Sequence, residues 1–362
     1  MSVVGLDIGT NVVKIVQVKE AGDKFQLINL AISEISSEPV EELEPQARFN
    51  LTVEAIKKVV KESGIKSKNV ALSLSGDGVI VRYVRLPFMS RDELKAIVKH
   101  EAEQYIPIGI DQVMLDFQIL GEVSEDNQKK MDVLLVAAKN ELVDQYINIV
   151  QSAGLIPLLI DVDVFALGNS YEANFGKKEG ETVALVNIGA KIISINILED
   201  GVTKFGRDVA AGSNIITKDI QREFKLNYID AEKFKKEEAT VIIESDDELL
   251  LTRIPDKEDK SMKTHEAIIG NLNKMVAEIR RALDFYESQA KKRVVNKVLL
   301  SGGGSLLKNM DKFLNDKLRI PVEFNNPLAN FEVKLDNFPA DKISGLASQL
   351  AVVIGLSTRK AK

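Results

Sequence analysis

The sequence predicts an α/β fold that contains two copies of one strand–turn–strand unit, with a smaller β-rich segment inserted between them. Residues 3–18 form the first copy, in which two apolar runs flank a glycine turn, and residues 183–198 repeat the pattern. A second glycine turn, at Gly22 and at Gly201, and a third apolar run follow each copy. Because both bends and both following turns match, we interpret the pattern as an internal duplication whose halves face one cleft.

The first bend combines a carboxylate, a glycine and small donors in the order Asp7, Gly9, Thr10, Asn11 and Lys14. Glycine lets the backbone approach a ligand, and consecutive backbone N–H groups in such a turn bind anions. Lys14 adds a positive charge within reach of a phosphate, and Asp7 suits a hydrated Mg²⁺ ion. A hairpin turn without a ligand is the alternative, because a short glycine motif is a weak signal by itself.

The second copy carries its own loop, and a third glycine-rich stretch follows near the end of the chain. The second loop is segment 187–191 (Asn-Ile-Gly-Ala-Lys), and an apolar strand leads into segment 301–305 (Ser-Gly-Gly-Gly-Ser). We expect a helix to begin at Ser305 and to run through Leu314, so that its N-terminus lies beside a ligand. A plain tight turn needs one glycine rather than three, which favours a binding loop.

Composition limits the classes of function. The chain has 362 residues, enough for two or more domains, and its 45% hydrophobic and 28% charged residues are typical of a soluble globular protein. The formal net charge of −6 gives nucleic-acid binding no electrostatic support. The absence of cysteine excludes disulfides and thiol catalysis, and two histidines, His100 and His265, are too few for a multi-histidine metal site.

Membrane insertion also lacks support in the sequence. No apolar run approaches the ~20 residues that span a bilayer, and the N-terminus lacks the basic and then hydrophobic pattern of a signal peptide. The basic residues at 358–362 are too few for an amphipathic anchor. We therefore expect a cytoplasmic protein.

Hydrophobic periodicity and capping signals define the other elements. A helix is predicted at 51–63 with Gly64 as its C-cap, and another at 91–105 behind Ser90, whose capping box includes Glu93. Strands are predicted at 69–74, 78–86, 113–120, 131–138 and 155–162, and helices at 140–153, after Asp163, from about Ile215, at 267–291 and at 345–357. In the charged stretch after Asp230, we predict short strands at 240–243 and 249–251 and a loop at 254–261.

The ordered set of two phosphate loops, a connecting helix, a glycine-rich loop and a small-residue terminal helix resembles the actin-like ATPase superfamily. Five segments in and after the insert narrow the likeness further: Leu86-Pro87, Lys99–Pro107, Leu115–Phe117, Asp161–Asp163 and Ala166–Asn169. They resemble the PilM family, the cytoplasmic actin-like proteins of type IV pilus assembly. This likeness covers nearly the whole chain and is weakest from 235 to 263.

The resemblance implies a ribonuclease H-like duplicated, two-lobe fold with an inserted subdomain of FtsA/PilM type and with ATP and Mg²⁺ in the cleft. By motif, the residues expected at the phosphates or the hydrated metal are Asp7, Gly9, Thr10, Asn11, Lys14, Asn187, Gly189, Ala190 and Lys191. Those expected near the ribose and adenine are Gly212, Ser213, Glu232, Lys235, Gly302, Gly303 and Ser305. Glu232 and Lys235 are equally consistent with a surface i, i+3 ion pair.

The resemblance also bears on hydrolysis. Asp163 falls where relatives place the residue that orients the attacking water, and Asp7 would act through Mg²⁺. Relatives that hydrolyse ATP usually carry Asp in the second loop, where this chain has Asn187, and an amide is not an anionic acceptor. The resemblance therefore implies ATP binding with slow or negligible hydrolysis and leaves open whether the chain is an enzyme.

A partner is implied as well. PilM proteins bind the short cytoplasmic N-terminal segment of the membrane protein PilN, which would hold this chain at the inner membrane among other platform proteins; self-association stays open. Candidate groove residues near the start of the insert are Phe88, Met89, Ile106, Ile108 and Ile110, although core packing is the favoured interpretation for most of them.

The predicted domain division follows the same likeness: lobe 1 at 1–86 with 160–181 and 345–362, the insert at 87–159, lobe 2 at 182–215 with 294–344, and an accessory subdomain at 216–293. The alternatives are an actin-fold small-molecule kinase, for which no substrate motif is found, and an FtsA-like filament-forming division protein, whose characteristic C-terminal amphipathic helix is not seen. A scaffold that has lost nucleotide binding is disfavoured, because all the glycine loops are intact, whereas the actin-like counterpart in type II secretion stays open.

Overall fold

The computed structural model describes residues 3–22, 24–125, 128–243, 260–289, 293–335, 338 and 340–360. Its first sheet has six strands in the order β14-β3-β2-β1-β4-β8. They are β1 (Val4–Ile8), β2 (Val12–Ala21), β3 (Lys24–Glu34), β4 (Asn69–Leu74), β8 (Ile156–Val162) and β14 (Glu332–Val333). β2 pairs antiparallel with β1 and β3, whereas β1, β4 and β8 run parallel.

The second sheet has five strands in the order β11-β10-β9-β12-β13. They are β9 (Thr182–Ile188), β10 (Ile193–Glu199), β11 (Val202–Val209), β12 (Lys297–Ser301) and β13 (Val322–Phe324). β10 pairs antiparallel with β9 and β11, and β9, β12 and β13 run parallel. The strand order and directions match those of the first sheet from β3 to β8, which confirms the predicted duplication.

Helices cover these sheets and separate them. On the first sheet lie α1 (Pro45–Ser63) and α3 (Asn140–Ser152), and on the second lie α5 (Asn214–Phe224), α6 (Tyr228–Glu237), α7 (Lys260–Gln289) and α8 (Met310–Leu318). Two helices, α4 (Asp163–Phe175) and α10 (Ala351–Ser357), pack between the sheets. A short helix, α9 (Ala340–Leu346), precedes α10 in the C-terminal segment. We call the first sheet with its helices the first lobe, and the second sheet with its helices the second lobe.

The insert is a three-stranded antiparallel sheet in the order β5-β7-β6, formed by β5 (Val79–Pro87), β6 (Val113–Glu125) and β7 (Gln128–Lys139). Helix α2 (Arg91–Ala102) covers it through the buried Leu94 and Val98. Because β5 pairs along its length with β7, this sheet begins at Val79, before the boundary predicted at 87. Helix α3, which follows β7, buries Ile149 and Val150 in the core of the first lobe.

Capping signals located several helix ends well. Gly64 ends α1 with a left-handed φ of 69°, and Ser90 and Glu93 form the reciprocal capping box of α2. The predicted start of α1, at residue 51, was wrong. The helix begins at Pro45, and proline is favourable at the first helical position. Helix α2 also ends earlier than predicted, at Ala102.

Three predictions in the second half were wrong. The glycine-rich segment forms a 3₁₀ turn at Gly303–Leu306, and α8 starts only at Met310, because Asn309 adopts a left-handed φ of 66°. Residues 240–243 form a single bridge, Thr240 to Lys308, and no strand. The C-terminal helix is divided by a 3₁₀ turn at Ala347–Leu350.

Two further differences concern helices. Helix α6 was not predicted, because its charged sequence shows little periodicity, and α7 begins at Lys260, before the predicted start at 267. The strand predicted at 249–251 and most of the loop predicted at 254–261 lie outside the described residues.

Candidate functional site

A cleft of about 930 Å³ lies between the two lobes. Its walls contain most of the site residues predicted from the sequence: Asp7, Gly9, Thr10, Asn11, Lys14, Asp163, Asn187, Gly189, Ala190, Lys191, Ser213, Glu232, Lys235, Gly302 and Gly303. Gly212 and Ser305 do not line the cleft and instead support loops that do. Residues far apart in the sequence therefore meet in one cavity.

The two predicted phosphate loops have the same local geometry. The Gly9 N–H donates to the Val12 carbonyl at 3.0 Å, and the Gly189 N–H donates to the Ile192 carbonyl at 2.9 Å. A Cβ atom at either glycine would lie about as close to the same carbonyl, at 3.0 and 2.9 Å. Only glycine fits both turns without a shift, and the bends bring backbone to the cleft surface from both sides.

Lys14 and Asp7 form an ion pair at the base of the first loop. They are cross-strand neighbours on β1 and β2, and Lys14 Nζ lies 2.8 Å from Asp7 Oδ2. Their side chains are only 13% and 12% exposed. An ion pair withdrawn this far from water is open to exchange with a charged ligand that satisfies both partners.

Asp163 is the first residue of α4 and points at the same region. Its Oδ1 accepts a hydrogen bond from the Ser73 hydroxyl at 2.5 Å. Removal from bulk water, reinforced by the negative charges of Asp7 and Asp208, raises the pKa of Asp163 to about 7. The side chain is thus able to hold or release a proton near neutral pH, as a water-orienting group requires.

Asp208 does not line the cleft, but it contacts a residue that does, Gly76, and no sequence pattern indicated this contact. It lies on β11 in the second lobe, and its Oδ2 accepts a hydrogen bond of 2.7 Å from the Gly76 N–H of the first lobe. Burial raises the pKa of this carboxyl, and the hydrogen bond from Gly76, which lowers the pKa, only partly offsets that effect. No local sequence signal marks it, because its partner lies in the other lobe.

The triple glycine forms the floor of the cleft. Gly302 has a left-handed φ of 88°, and a Cβ there would lie 2.4 Å from the Ile188 carbonyl. Gly303 differs, because its Cβ would meet only Gln349 Oε1, at 3.6 Å. The buried Ser305 hydroxyl donates to the Gly302 carbonyl at 2.7 Å and so stabilises the loop from behind.

Gly212 has a similar supporting role behind the second loop. Its N–H donates to the Lys191 carbonyl at 2.9 Å, and a Cβ would lie 2.4 Å from the Ala190 carbonyl. The start of α5 is therefore packed directly against the loop 187–191.

Glu232 and Lys235 form an ion pair of 2.6 Å that lines the cleft, with side chains only 19% and 10% exposed, so it is not a surface pair; their contact with a ribose or adenine stays a prediction. The Thr217 hydroxyl donates to Glu232 Oε2 at 2.7 Å and accepts from Lys235 Nζ at 2.7 Å. Burial lowers the pKa of Lys235. Burial alone would raise the pKa of Glu232, but the charge of Lys235 and two hydrogen bonds outweigh it and lower that pKa.

Side-chain hydrogen bonds also close one mouth of the cleft. Asn11 Nδ2 donates to Asn214 Oδ1 at 3.2 Å and to the Tyr228 hydroxyl at 3.1 Å, both across the cleft. Asn214 Nδ2 in turn donates to Glu41 Oε2 at 3.4 Å. The buried Asn11 Oδ1 has no hydrogen-bond partner within the described part of the chain.

The candidate groove residues of the insert divide between core and surface. Ile106 is buried in the core of the three-stranded sheet, and Met89, Ile108 and Ile110 pack against that core. Phe88 is 47% exposed. In the described ranges no helix is long and apolar enough to cross a membrane.

Comparison with known proteins agrees with this geometry. The family model described as Type IV pilus assembly protein PilM matches residues 5–251, and that described as Cell division protein FtsA matches residues 184–348. Among solved structures, the PilM-PilN type IV pilus biogenesis complex is 26% identical with a TM-score of 0.82, and the match covers 100% of this chain and 99% of that one. The ethanolamine utilization protein EutJ from Carboxydothermus hydrogenoformans is 13% identical with a TM-score of 0.53, covering 98% and 88%.

The first family match spans the first lobe, the insert and the first part of the second lobe, whereas the FtsA match is confined to the second lobe and the C-terminal segment. The predicted actin-like fold with a PilM-type insert is confirmed by the full-length structural similarity. The chain belongs to the family of type IV pilus assembly protein PilM.

Proposed function

We propose that this chain binds ATP with Mg²⁺ in the interlobe cleft and acts as an actin-like component of the type IV pilus inner-membrane platform. PilN is its proposed partner and holds it at the inner membrane. ATP hydrolysis is slow or negligible. The pair of matched glycine turns that face each other across the cleft carries the nucleotide part of this proposal.

The residues present fit a magnesium nucleotide. Backbone at Gly9, Gly189 and Gly303 reaches the cleft surface without side chains, which suits close approach to phosphates and to a ribose. Asn11 Oδ1 is a buried acceptor that lacks a partner. Among the described residues no three acidic or histidine side chains form a metal cluster, so Mg²⁺ would be held by Asp7 through its water shell.

Charge balance supports the same assignment. Lys14 neutralises Asp7 at 2.8 Å. A magnesium nucleotide brings both a cation and an anion, so that Asp7 would face the hydrated metal while Lys14 would face a phosphate. Both buried charges then keep a partner of opposite sign, which avoids the cost of an unpaired buried charge.

Slow hydrolysis rests on the second loop. Asn187 occupies the end of β9, paired in register with Ser194 and Ser301, and its amide bears no negative charge. Asp163 is therefore the one group proposed to orient water, and the loop 187–191 supplies no carboxylate to assist it.

Calorimetry with Mg·ATP tests the cleft. Gly303→Asp places a negative side chain in open cleft space, and we expect an affinity loss of at least tenfold through charge repulsion and occupied volume. Gly345→Asp, at an exposed glycine with no atom near its Cβ position, is the matched control and should bind as the wild type does. Absent binding by the wild type, or unchanged binding by Gly303→Asp, would refute the site.

Phosphate release from Mg·ATP tests the hydrolysis part. We expect turnover of the wild type to be close to that of Asp163→Ala. Robust turnover that Asp163→Ala abolishes would show a competent ATPase and would overturn the assignment of Asn187.

The PilN part rests on family membership and on the full-length similarity to the PilM-PilN complex. Within the insert, Phe88 is a large apolar side chain left 47% exposed, next to the turn that leads into α2. Exposed aromatic side chains are frequent anchors of protein interfaces. Phe88 is therefore the residue proposed to contact the partner segment.

Binding of a synthetic PilN N-terminal cytoplasmic peptide tests this assignment. Phe88→Glu should weaken binding at least tenfold, while Val294→Glu, at a 59% exposed apolar residue of the second lobe, should not. Point variants are preferable to deletion of 88–158, because that deletion also removes Ile149 and Val150 from the first lobe. If Phe88→Glu and Val294→Glu bind the peptide with equal affinity, Phe88 is not part of the PilN site.

A further inference from the structure

A second cavity, of about 650 Å³, lies beside the nucleotide cleft on the second lobe. We call it the basic groove. It is formed where the end of β11, the start of α5 and the middle of α7 meet. The charged side chains that line it are Lys191, Arg207, Lys218, Lys274 and Arg281, against Glu41 and Glu278.

Several of these cations lack a carboxylate partner. Arg281 pairs with Glu278 at 2.5 Å, and Lys218 lies 3.5 Å from Glu42. Lys274 donates to the amide of Asn271 at 3.1 Å, and no ion pair to Lys191 or Arg207 is found in the parts of the chain that the structure describes. In a chain of net charge −6, such a concentration of unpaired cations creates a local positive potential.

The floor of the groove is apolar. Met275 is buried in the core of the second lobe, and Val209 and Ala211 pack against that core. Ile215, on the first turn of α5, is 43% exposed and lines the groove. A positive rim around an apolar floor suits a ligand that has both carboxylates and an apolar side chain.

The backbone of the groove argues against a phosphate site. The N–H groups of Gly212, Ser213 and Asn214, at the start of α5, donate to the carbonyls of Lys191, Gly189 and Ala190 at 2.9, 2.9 and 2.8 Å. These donors are therefore not available to cradle a small anion, as they would be in a phosphate loop. The recognition chemistry left to the groove is that of long, mobile cationic side chains.

We propose that the basic groove binds an acidic peptide segment of a protein partner, with an apolar side chain on the floor and carboxylates at Lys191, Arg207 and Lys274. Charge complementarity, the apolar floor and the extent of the cavity support a peptide over a single ion. This surface lies on the opposite lobe from the insert, so it is separate from the site proposed for PilN.

The groove shares a wall with the nucleotide cleft. Ala190, Lys191 and Asn214 line both cavities, and so does Glu41 of the first lobe. The shared wall is tightly packed, since a Cβ at Gly212 would lie 2.4 Å from the Ala190 carbonyl. A peptide that shifts this wall changes nucleotide affinity, and the nucleotide changes peptide affinity by the same factor. This coupling rests on the proposed ATP binding, whereas the peptide site does not.

Fluorescence anisotropy with the full chain and no nucleotide tests the groove. The probe is a fluorescein-labelled Glu-Leu-Glu-Glu-Leu-Glu peptide, and the comparison peptide carries Gln in place of every Glu. We expect saturable binding that falls at least tenfold with the Gln peptide. Lys274→Glu with Arg281→Glu, two exposed positions one heptad apart on α7, should also lose at least tenfold.

The matched control is Lys58→Glu with Lys61→Glu on α1, which makes the same charge change on an exposed helix face and should stay within twofold of the wild type. Thermal melts establish that both double variants are folded. No saturable binding, or equal loss in both double variants, overturns the proposal. So does groove-dependent binding of tripolyphosphate or of phosphatidylglycerol vesicles without binding of the acidic peptide. Failure of ATP binding in calorimetry leaves these outcomes unchanged.

Discussion

Asp163 lies at the start of α4, and the negative charges of Asp7 and Asp208 act on its carboxyl. Its pKa of about 7 exceeds the value of about 3.9 expected in an unfolded chain. The native state therefore holds this proton more tightly than the unfolded state does. The unfavourable contribution of Asp163 to folding is absent below pH ~4, grows as the pH rises, and is complete above pH ~7.

Asp163→Asn should accordingly stabilise the nucleotide-free protein at high pH. We expect a gain of about 1–3 kcal/mol in the free energy of unfolding at pH 8, which shrinks towards zero near pH 4. Urea unfolding in EDTA at both pH values measures it. Asp111→Asn, at an exposed carboxyl near the start of β6, is the control. A gain that is independent of pH would contradict the raised pKa.

At the scale of residues, most side chains of the cleft could be predicted from the sequence, because each glycine turn has a recognisable local sequence pattern. Asp208 and Tyr228 could not be found that way. Each contacts a residue of the opposite lobe, Gly76 in one case and Asn11 in the other, and a contact over such a sequence separation leaves no local pattern.

At the scale of elements, helix α10 depends on a backbone approach that only glycine allows. A Cβ at Gly355 would lie 1.8 Å from the carbonyl of Ala166 on α4, and one at Gly5 would lie 2.3 Å from the carbonyl of Val353. The helix is therefore wedged between β1 and α4, in the apolar layer between the two sheets.

Gly355→Ala should destabilise the protein by about 2 kcal/mol or more, because inserted atoms in a packed core force backbone shifts. Gly270→Ala, in the interior of α7 with no atom near its Cβ position, should be neutral or should stabilise by up to about 1 kcal/mol. Thermal unfolding of the two variants compares them directly. Equal melting temperatures would show that α10 has room to move.

Elements with strong periodicity or clear caps were predicted well, among them the strands of both repeats and α2. Those that depend on distant contacts were not. Helix α6 is held by Phe234 and Ala231 in the core of the second lobe, and the late start of α8 follows from Asn309, whose amide donates to the Val241 carbonyl at 3.0 Å. Local propensity alone does not decide such cases.

At the scale of the whole molecule, hydrogen bonds between the lobes hold the cleft closed. Asn11 bonds to Asn214 and Tyr228 at one mouth, and Asp208 of the second lobe bonds to Gly76 of the first. Each such bond contributes about 1 kcal/mol. Opening of the lobes, and with it ligand release, must break them.

Tyr228→Phe removes the hydroxyl that accepts from Asn11 and leaves the ring in place. We expect the dissociation rate of a fluorescent ATP analogue to rise about fivefold, because one bond of about 1 kcal/mol no longer opposes opening. Stopped-flow displacement measures this rate. Tyr105→Phe, at a partly buried tyrosine of the insert, should leave it unchanged. An unaltered rate in Tyr228→Phe would mean that release does not require opening at this mouth.

The duplicated α/β architecture, the glycine turns and the family resemblance follow from the sequence alone, because each depends on patterns within a few dozen residues. The packing of distant segments was needed to show that β5 joins the insert, that Gly212 and Ser305 stand behind the cleft, that Tyr228 lines it, and that Asp208 bonds from one lobe to the other. The basic groove is also a product of assembly, since Lys191, Arg207 and Lys274 come together only when β11, α5 and α7 pack around one core.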